Sequence, residues 1–69
     1  MSIWEVPTGA VDGSNRTFET SRPYAPGSVY YWTADEQYAR AEELPGRLYR
    51  VALAPQEDDV VLVIYRSQG

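Results

Sequence analysis

The sequence predicts a small all-β protein, either an antiparallel β-sandwich or an open barrel of about five to seven short strands. Two observations indicate this fold class. Runs rich in β-branched and aromatic residues, most clearly Val29–Thr33 and Val60–Arg66, alternate with turn signals such as Asp12-Gly13 and Pro45-Gly46. No long segment repeats its apolar residues at the period of a helix. The pattern therefore favours strands joined by turns.

The 69 residues are expected to form one β domain spanning positions 1–69, with positions 1–6 as a possible arm. A chain of this length buries only about 60% of the surface that its unfolded form exposes, so its core alone gives marginal stability. Cysteine and histidine are both absent, which excludes disulfides, thiolate metal sites and the usual general base near neutral pH. Assembly with other subunits is the remaining way to stabilise such a chain.

The N-terminal segment Ser2–Val6 is predicted to be a short strand, or an arm that lays Ile3 and Trp4 on a neighbour. The turns that follow are predicted from their glycines, which supply positive φ, and from Asp or Asn side chains that bond the local backbone. The predicted turn-forming residues are Asp12, Gly13, Asn15, Pro26 and Gly27. Phe18, the one large apolar side chain of the next run, is placed in the core.

The segment between Thr33 and Leu44 is ambiguous in the sequence. Thr33 followed by Glu36 has the spacing of a helix capping box, and the alanines and glutamates favour a helix. However, the apolar stripe is thin, and predicted strands flank the segment on both sides. We expect a turn near Asp35 followed by irregular or short extended chain.

The final strand, Val60–Arg66, is apolar on both faces, whereas a half-exposed strand is polar on one side. One face carries Val60, Leu62 and Ile64, and the other carries Val61, Val63 and Tyr65. One face is expected to pack under a second sheet and the other to dock on another subunit or under the N-terminal arm. The predicted interface residues are Ile3, Trp4, Tyr24, Val61, Val63 and Tyr65.

The order of the turn and strand residues resembles a module of tailed-bacteriophage structural proteins. In that module an opening of the form SG-VDG-N--F leads through PGSV-V to an ending of the form AP--GD-V-V-Y. The residues that match are Pro7-Thr8-Gly9, Val11-Asp12-Gly13, Asn15, Phe18, Pro26-Gly27-Ser28-Val29 and the ending Ala54–Tyr65. The chain departs from the module at Thr33–Glu36, where an Asn-Gly turn is usual, and at Asp58, which replaces a glycine. The resemblance implies a small β-sandwich built into a virion in several copies.

The sequence gives less support to a metal site, a catalytic site or a sugar-binding site. Asp12 and Asn15 with the acidic run 57–59 offer oxygens for calcium, but the spacing is better explained by a turn. The adjacent carboxylates Glu42-Glu43 and Asp58-Asp59 face opposite ways on a strand, which disfavours a catalytic pair. No catalytic residue, metal ligand or cofactor is therefore predicted. The two tryptophans and six tyrosines are explained by a core and a protein interface, or alternatively by sugar stacking.

These observations together predict a non-enzymatic virion structural protein of the phage neck or tail, partnered by other virion proteins or by copies of itself. The alternatives are a capsid decoration protein and a carbohydrate-binding module. The formal charge of -4 gives no basic footprint for nucleic acid, and no apolar run approaches the roughly 20 residues that span a bilayer. No secretory signal is expected, so the predicted location is the virion after synthesis in the host cytoplasm.

Overall fold

The computed structural model describes residues 1–68 and consists of two antiparallel sheets. Its strands are β1 (Ser2–Glu5), β2 (Thr17–Glu19), β3 (Tyr30–Trp32), β4 (Ala39–Arg40), β5 (Glu42–Glu43), β6 (Leu48–Arg50) and β7 (Leu62–Arg66). The four-stranded sheet has the order β1-β7-β3-β4, and the three-stranded sheet has the order β2-β6-β5. The prediction of a small all-β fold is confirmed. Gly69, the last position of the predicted domain, lies outside the described residues.

The core lies between the two sheets and is made largely of aromatic rings. The four-stranded sheet contributes Tyr31, Val63 and Tyr65, and the three-stranded sheet contributes Phe18 and Tyr49. Rings with polar tips fill the core because each large side chain buries much apolar area in a chain with little aliphatic bulk. Phe18 is only 1% exposed, so its predicted place in the core is confirmed.

The chain passes from one sheet to the other at Ala41. This residue separates β4 from β5, is buried, and donates its N–H to the carbonyl oxygen of Val29 at 3.0 Å. A small side chain suits a corner at which one extended segment serves two sheets. The preference for a turn and short extended chain at 33–44 is confirmed, and the Thr33 hydroxyl accepts the N–H groups of Asp35 and Glu36 without a helix following.

The assignment of Val61, Val63 and Tyr65 to an interface is wrong. These three side chains point into the core and are 3%, 0% and 1% exposed. Because neighbouring residues of a strand face opposite ways, Leu62 and Ile64 of β7 point outward, and Val60, just before the strand, is 68% exposed. The sequence was compatible with either set facing the core, since both sets of alternating residues are apolar.

Tyr24 is also misassigned as an interface residue. Its ring is buried at 8% exposure, and its hydroxyl lies within hydrogen-bond distance of the carbonyl oxygens of Leu44 and Leu48. Ile3 is half-buried and packs against the core, so it is at most the margin of an interface. Its strand β1 pairs with β7 from Ser2↔Arg66 to Glu5↔Val63, and the N-terminal segment is therefore part of the sheet.

Asp12, Gly13, Pro26 and Gly27 lie in turns or bends, and Asn15 donates its N–H to the side chain of Asp12. Asp12 Oδ1 accepts the N–H groups of Ser14 and Asn15 at 2.9 and 2.8 Å, and Gly13 has a φ of 84°. The segment Ala25–Ser28 is a β-turn with proline and then glycine at its centre, closed by a bond from Ser28 N to Ala25 O of 3.2 Å. Gly27 at its third position has a φ of 79°, as a type II turn requires.

Candidate functional site

The outward side of the four-stranded sheet carries an aromatic and aliphatic surface, which we call the outer face. It consists of Trp4, Tyr30, Trp32, Tyr38, Val60, Leu62 and Ile64. The register places them together, because Trp4 and Tyr30 lie opposite Ile64 on either side of β7, and Trp32 lies opposite Leu62. Trp4 and Tyr38 remain 59% and 58% exposed. A contiguous apolar patch of this kind on a small domain marks an interaction surface.

The four aromatic rings of the outer face contact each other in a row. Trp4 and Trp32 have ring centroids 4.8 Å apart, and Trp32 and Tyr38 are 5.1 Å apart. Tyr38 in turn stacks on Tyr30 at 4.7 Å with an interplanar angle of only 13°. Each ring therefore covers part of the face of its neighbour. Such pairs stabilise by about 0.5–1.5 kcal/mol beyond the area that they bury.

Tyr38 reaches this row through an unusual backbone conformation. Its φ of 51° is the only positive value of a residue other than glycine in the described part of the chain. A bulky residue rarely adopts the left-handed region, where backbone strain costs about 1–3 kcal/mol. The stacking on Tyr30 and Trp32 helps to offset this cost. The sequence offered no signal for it, because an Asn or Gly would be the usual residue at such a position.

Charged residues lie at both ends of the outer face. Arg66 lies opposite Ser2, at the end where β1 begins. Arg40 lies opposite Tyr30 in the register, and its guanidinium reaches towards Gly27 at the same end. A depression of about 250 Å³ lies at this end between Tyr30, Tyr38 and Arg66. At the other end, both Oδ atoms of Asp59 accept the Ala34 N–H at 3.0 and 3.1 Å. This contact joins the turn that contains Asp35 to the turn that contains Asp58.

The carboxylates considered for catalysis or metal binding are directed to separate partners. Glu42 pairs with Arg50 at 3.4 Å, whereas Glu43 accepts the N–H groups of Gly27 and Val29. Hydrogen bonds from the backbone of Asn15 and Ser14 hold the pKa of Asp12 below its usual value. Among residues 1–68, no three or more acidic, histidine or cysteine side chains are grouped so as to hold a metal ion.

Polar groups inside the molecule connect the two sheets. The Tyr31 hydroxyl donates to Glu36 at 2.7 Å and accepts the Ala52 N–H at 3.0 Å, and burial raises its pKa. Glu5 accepts the Ser21 N–H and hydroxyl and the Tyr65 hydroxyl. Burial acts to raise the pKa of Glu5, but these hydrogen bonds outweigh it and lower the pKa below its ordinary value.

The matched residues of the phage-like pattern contact each other in the fold. Gly13 donates its N–H to the carbonyl oxygen of Pro55 at 2.8 Å, which joins the opening and the ending of the pattern. At Gly9, with a φ of 153°, an added Cβ would lie 2.5 Å from the Phe18 ring. The side chain of Asn15 bonds the Ala10 and Thr17 carbonyl oxygens. The turn residues of the pattern therefore support the fold, whereas the outer-face residues Val60, Leu62 and Ile64 occupy unspecified positions of its ending.

Comparison with known protein families, curated protein sequences and solved structures found no match. Within the described residues there is no helix long and apolar enough to span a membrane.

Proposed function

We propose that this protein is a non-enzymatic structural component of a tailed-bacteriophage virion, assembled in several copies in the neck or tail through its outer face. The observation that carries the proposal is the row of four aromatic rings on one face of a sheet, of which Trp4 and Tyr38 are exposed and the other two are half-buried. Interfaces are enriched in Trp and Tyr, which combine large contact areas with few rotatable bonds. The resemblance of the turn pattern to phage structural modules supplies the virion context.

The stacking geometry favours a protein partner over a glycan. A sugar ring that binds by stacking needs the free face of an aromatic ring. Here Tyr30 and Tyr38 are stacked on each other, and Trp4 and Trp32 are tilted by 32° with centroids 4.8 Å apart. Their faces are thus partly covered within the protein itself, and what they present outward is a ridged apolar surface. Such a surface is suited to interdigitate with side chains of another subunit.

The test is the incorporation of Trp4→Ala into particles of the phage that encodes the protein, with copies per virion counted by quantitative mass spectrometry. Truncating an aromatic anchor at an interface costs about 2 kcal/mol or more, which corresponds to roughly 30-fold weaker binding. We expect the variant to fold but to be depleted from particles. A cryo-electron microscopy map of the same particles distinguishes a neck or tail position from decoration of the capsid.

Leu53→Ala is the matched control, because Leu53 is 55% exposed but lies after β6, away from the outer face. It should incorporate like the unmodified protein. If Trp4→Ala instead incorporates normally and loses binding to a host polysaccharide, the outer face is a glycan site and the assembly proposal fails.

A further inference from the structure

The outer face has opposite charges at its two ends. The end where β1 begins carries Arg40 and Arg66, both of which point outward by their register with Tyr30 and Ser2. The end where β3 finishes carries Asp35 and Asp58, in the turns after β3 and before β7. The aromatic row lies between these ends. Charges of one sign therefore flank the apolar surface on one side and charges of the other sign on the opposite side.

These four charged side chains have no partner within residues 1–68. The ion pairs there are Arg47–Glu19 and Arg50–Glu42, which lie on the three-stranded sheet. Asp59 is different, because it already accepts the N–H groups of Ala34 and Val60. The charges flanking the outer face are thus free to pair with groups on a docked partner.

We propose that the partner docked on the outer face is a second copy of this chain. The outer faces of the two copies pack against each other and are related by a two-fold axis. This axis lies in the interface and is perpendicular to the strands. This operation reverses the strand direction, so the basic end of one copy lies over the acidic end of the other. At one end of the interface, Arg40 and Arg66 of the first copy face Asp35 and Asp58 of the second copy. At the other end the symmetry repeats these contacts with the two copies exchanged. The inference rests on the proposed role of the outer face as an assembly surface.

A second copy is the partner that the charge pattern fits best. An interface with two-fold symmetry must be self-complementary, which a surface of uniform charge cannot be. The net charge of -4 opposes association of two copies, and two contacts between opposite charges offset that repulsion locally. A standard interface takes about 800 Å² from each partner. That is roughly a fifth of the 4217 Å² exposed by the chain, so the interface would involve the whole outer face.

Charge exchange tests the proposal on the isolated protein by sedimentation equilibrium. One variant combines Arg40→Glu with Arg66→Glu, and a second combines Asp35→Arg with Asp58→Arg. The unmodified chain is expected to form dimers. Each variant alone should dimerise about tenfold more weakly or worse, because like charges then face each other at both ends. An equimolar mixture of the two should form heterodimers of nearly the original affinity, since every facing pair is again opposite.

Circular dichroism checks that the variants fold. Arg22→Glu, on the loop between β2 and β3, shows the effect of one charge reversal away from the outer face, which is half the change in net charge of the double arginine variant. The proposal is overturned if the unmodified chain stays monomeric at millimolar concentration, or if the mixture does not recover association. These outcomes are separable from failure of the proposed function. A monomeric chain whose Trp4→Ala variant is still lost from particles docks through the outer face on a different virion protein.

Discussion

At the scale of single residues, the buried tyrosines differ in how well their hydroxyls are satisfied. Tyr24 and Tyr31 direct theirs to backbone and carboxylate partners, which a buried hydroxyl normally requires. Tyr49 is fully buried, and its hydroxyl has no hydrogen-bond partner among the described residues. Burial and then the nearby carboxylate of Glu5 raise its pKa above the ordinary value, so the hydroxyl is protonated at neutral pH.

Tyr49→Phe should therefore leave stability unchanged or raise it by about 1 kcal/mol, because it removes an unsatisfied polar atom and keeps the ring. Tyr24→Phe is the matched control and should cost about 1–3 kcal/mol, since it removes the buried hydroxyl that bonds the carbonyl oxygen and N–H of Leu44. Urea unfolding of both variants measures the difference. A loss for Tyr49→Phe as large as that for Tyr24→Phe would show that the hydroxyl of Tyr49 has a partner.

Single residues also show what the sequence predicts well. Asp12, Gly13 and Gly27 were predictable because a turn depends on the φ preference and local bonding of two or three adjacent residues. Gly9 appeared only as part of a resemblance. Its close approach to Phe18 is a contact between the segment after β1 and strand β2, and the left-handed conformation of Tyr38 likewise depends on packing against Tyr30 and Trp32. Neither contact is specified by neighbours in the sequence.

At the scale of elements, strands were easier to predict than their orientation. β7 carries apolar residues on both of its sides, so the alternation of side chains along the strand does not indicate which side faces the core. The answer depends on pairing with β1 and β3, which lie far away in the sequence. The same holds for Thr33, whose spacing to Glu36 fits a helix start and here closes a turn.

Threonine substitutions test which side of β7 faces the core, because threonine fits a strand but adds a hydroxyl. Val63→Thr should cost the isolated chain about 1–3 kcal/mol, because Val63 is 0% exposed and the new hydroxyl has to be buried. Leu62→Thr, at a site 36% exposed on the outer face, should cost under about 1 kcal/mol in the monomer.

Leu62→Thr should instead weaken dimerisation and incorporation into particles. Val63→Thr should affect these two properties only by unfolding the chain. Thermal unfolding at a concentration where the chain is monomeric, together with sedimentation, separates the two effects. Equal destabilisation of the monomer by both substitutions would mean that the strand is covered on both sides within one chain.

At the scale of the whole molecule, the two sheets are joined by the apolar core and by polar contacts between them. The fold lacks disulfides, so its stability depends on the aromatic core and on contacts such as that of Glu5. Glu5 lies on β1, at one edge of its sheet, and binds both the Ser21 loop and Tyr65. This role could not be predicted from the sequence, since a glutamate at a strand end is ordinarily exposed.

Acid titration should therefore expose the contribution of Glu5. The pKa of Glu5 is lower in the folded protein than its ordinary value of about 4.3 in an unfolded chain. The stabilisation is thus fully present above about pH 4.3 and is lost as the pH falls through the lower folded pKa. Compared with Glu5→Gln, the unmodified protein should be more stable at pH 7, and the two stability curves should converge in acid. Glu57→Gln, which removes one exposed negative charge from the turn before β7, is the matched control. Curves for Glu5→Gln and the unmodified protein that stay parallel down to pH 3 would show that the hydrogen bonds to Glu5 do not depend on its charge.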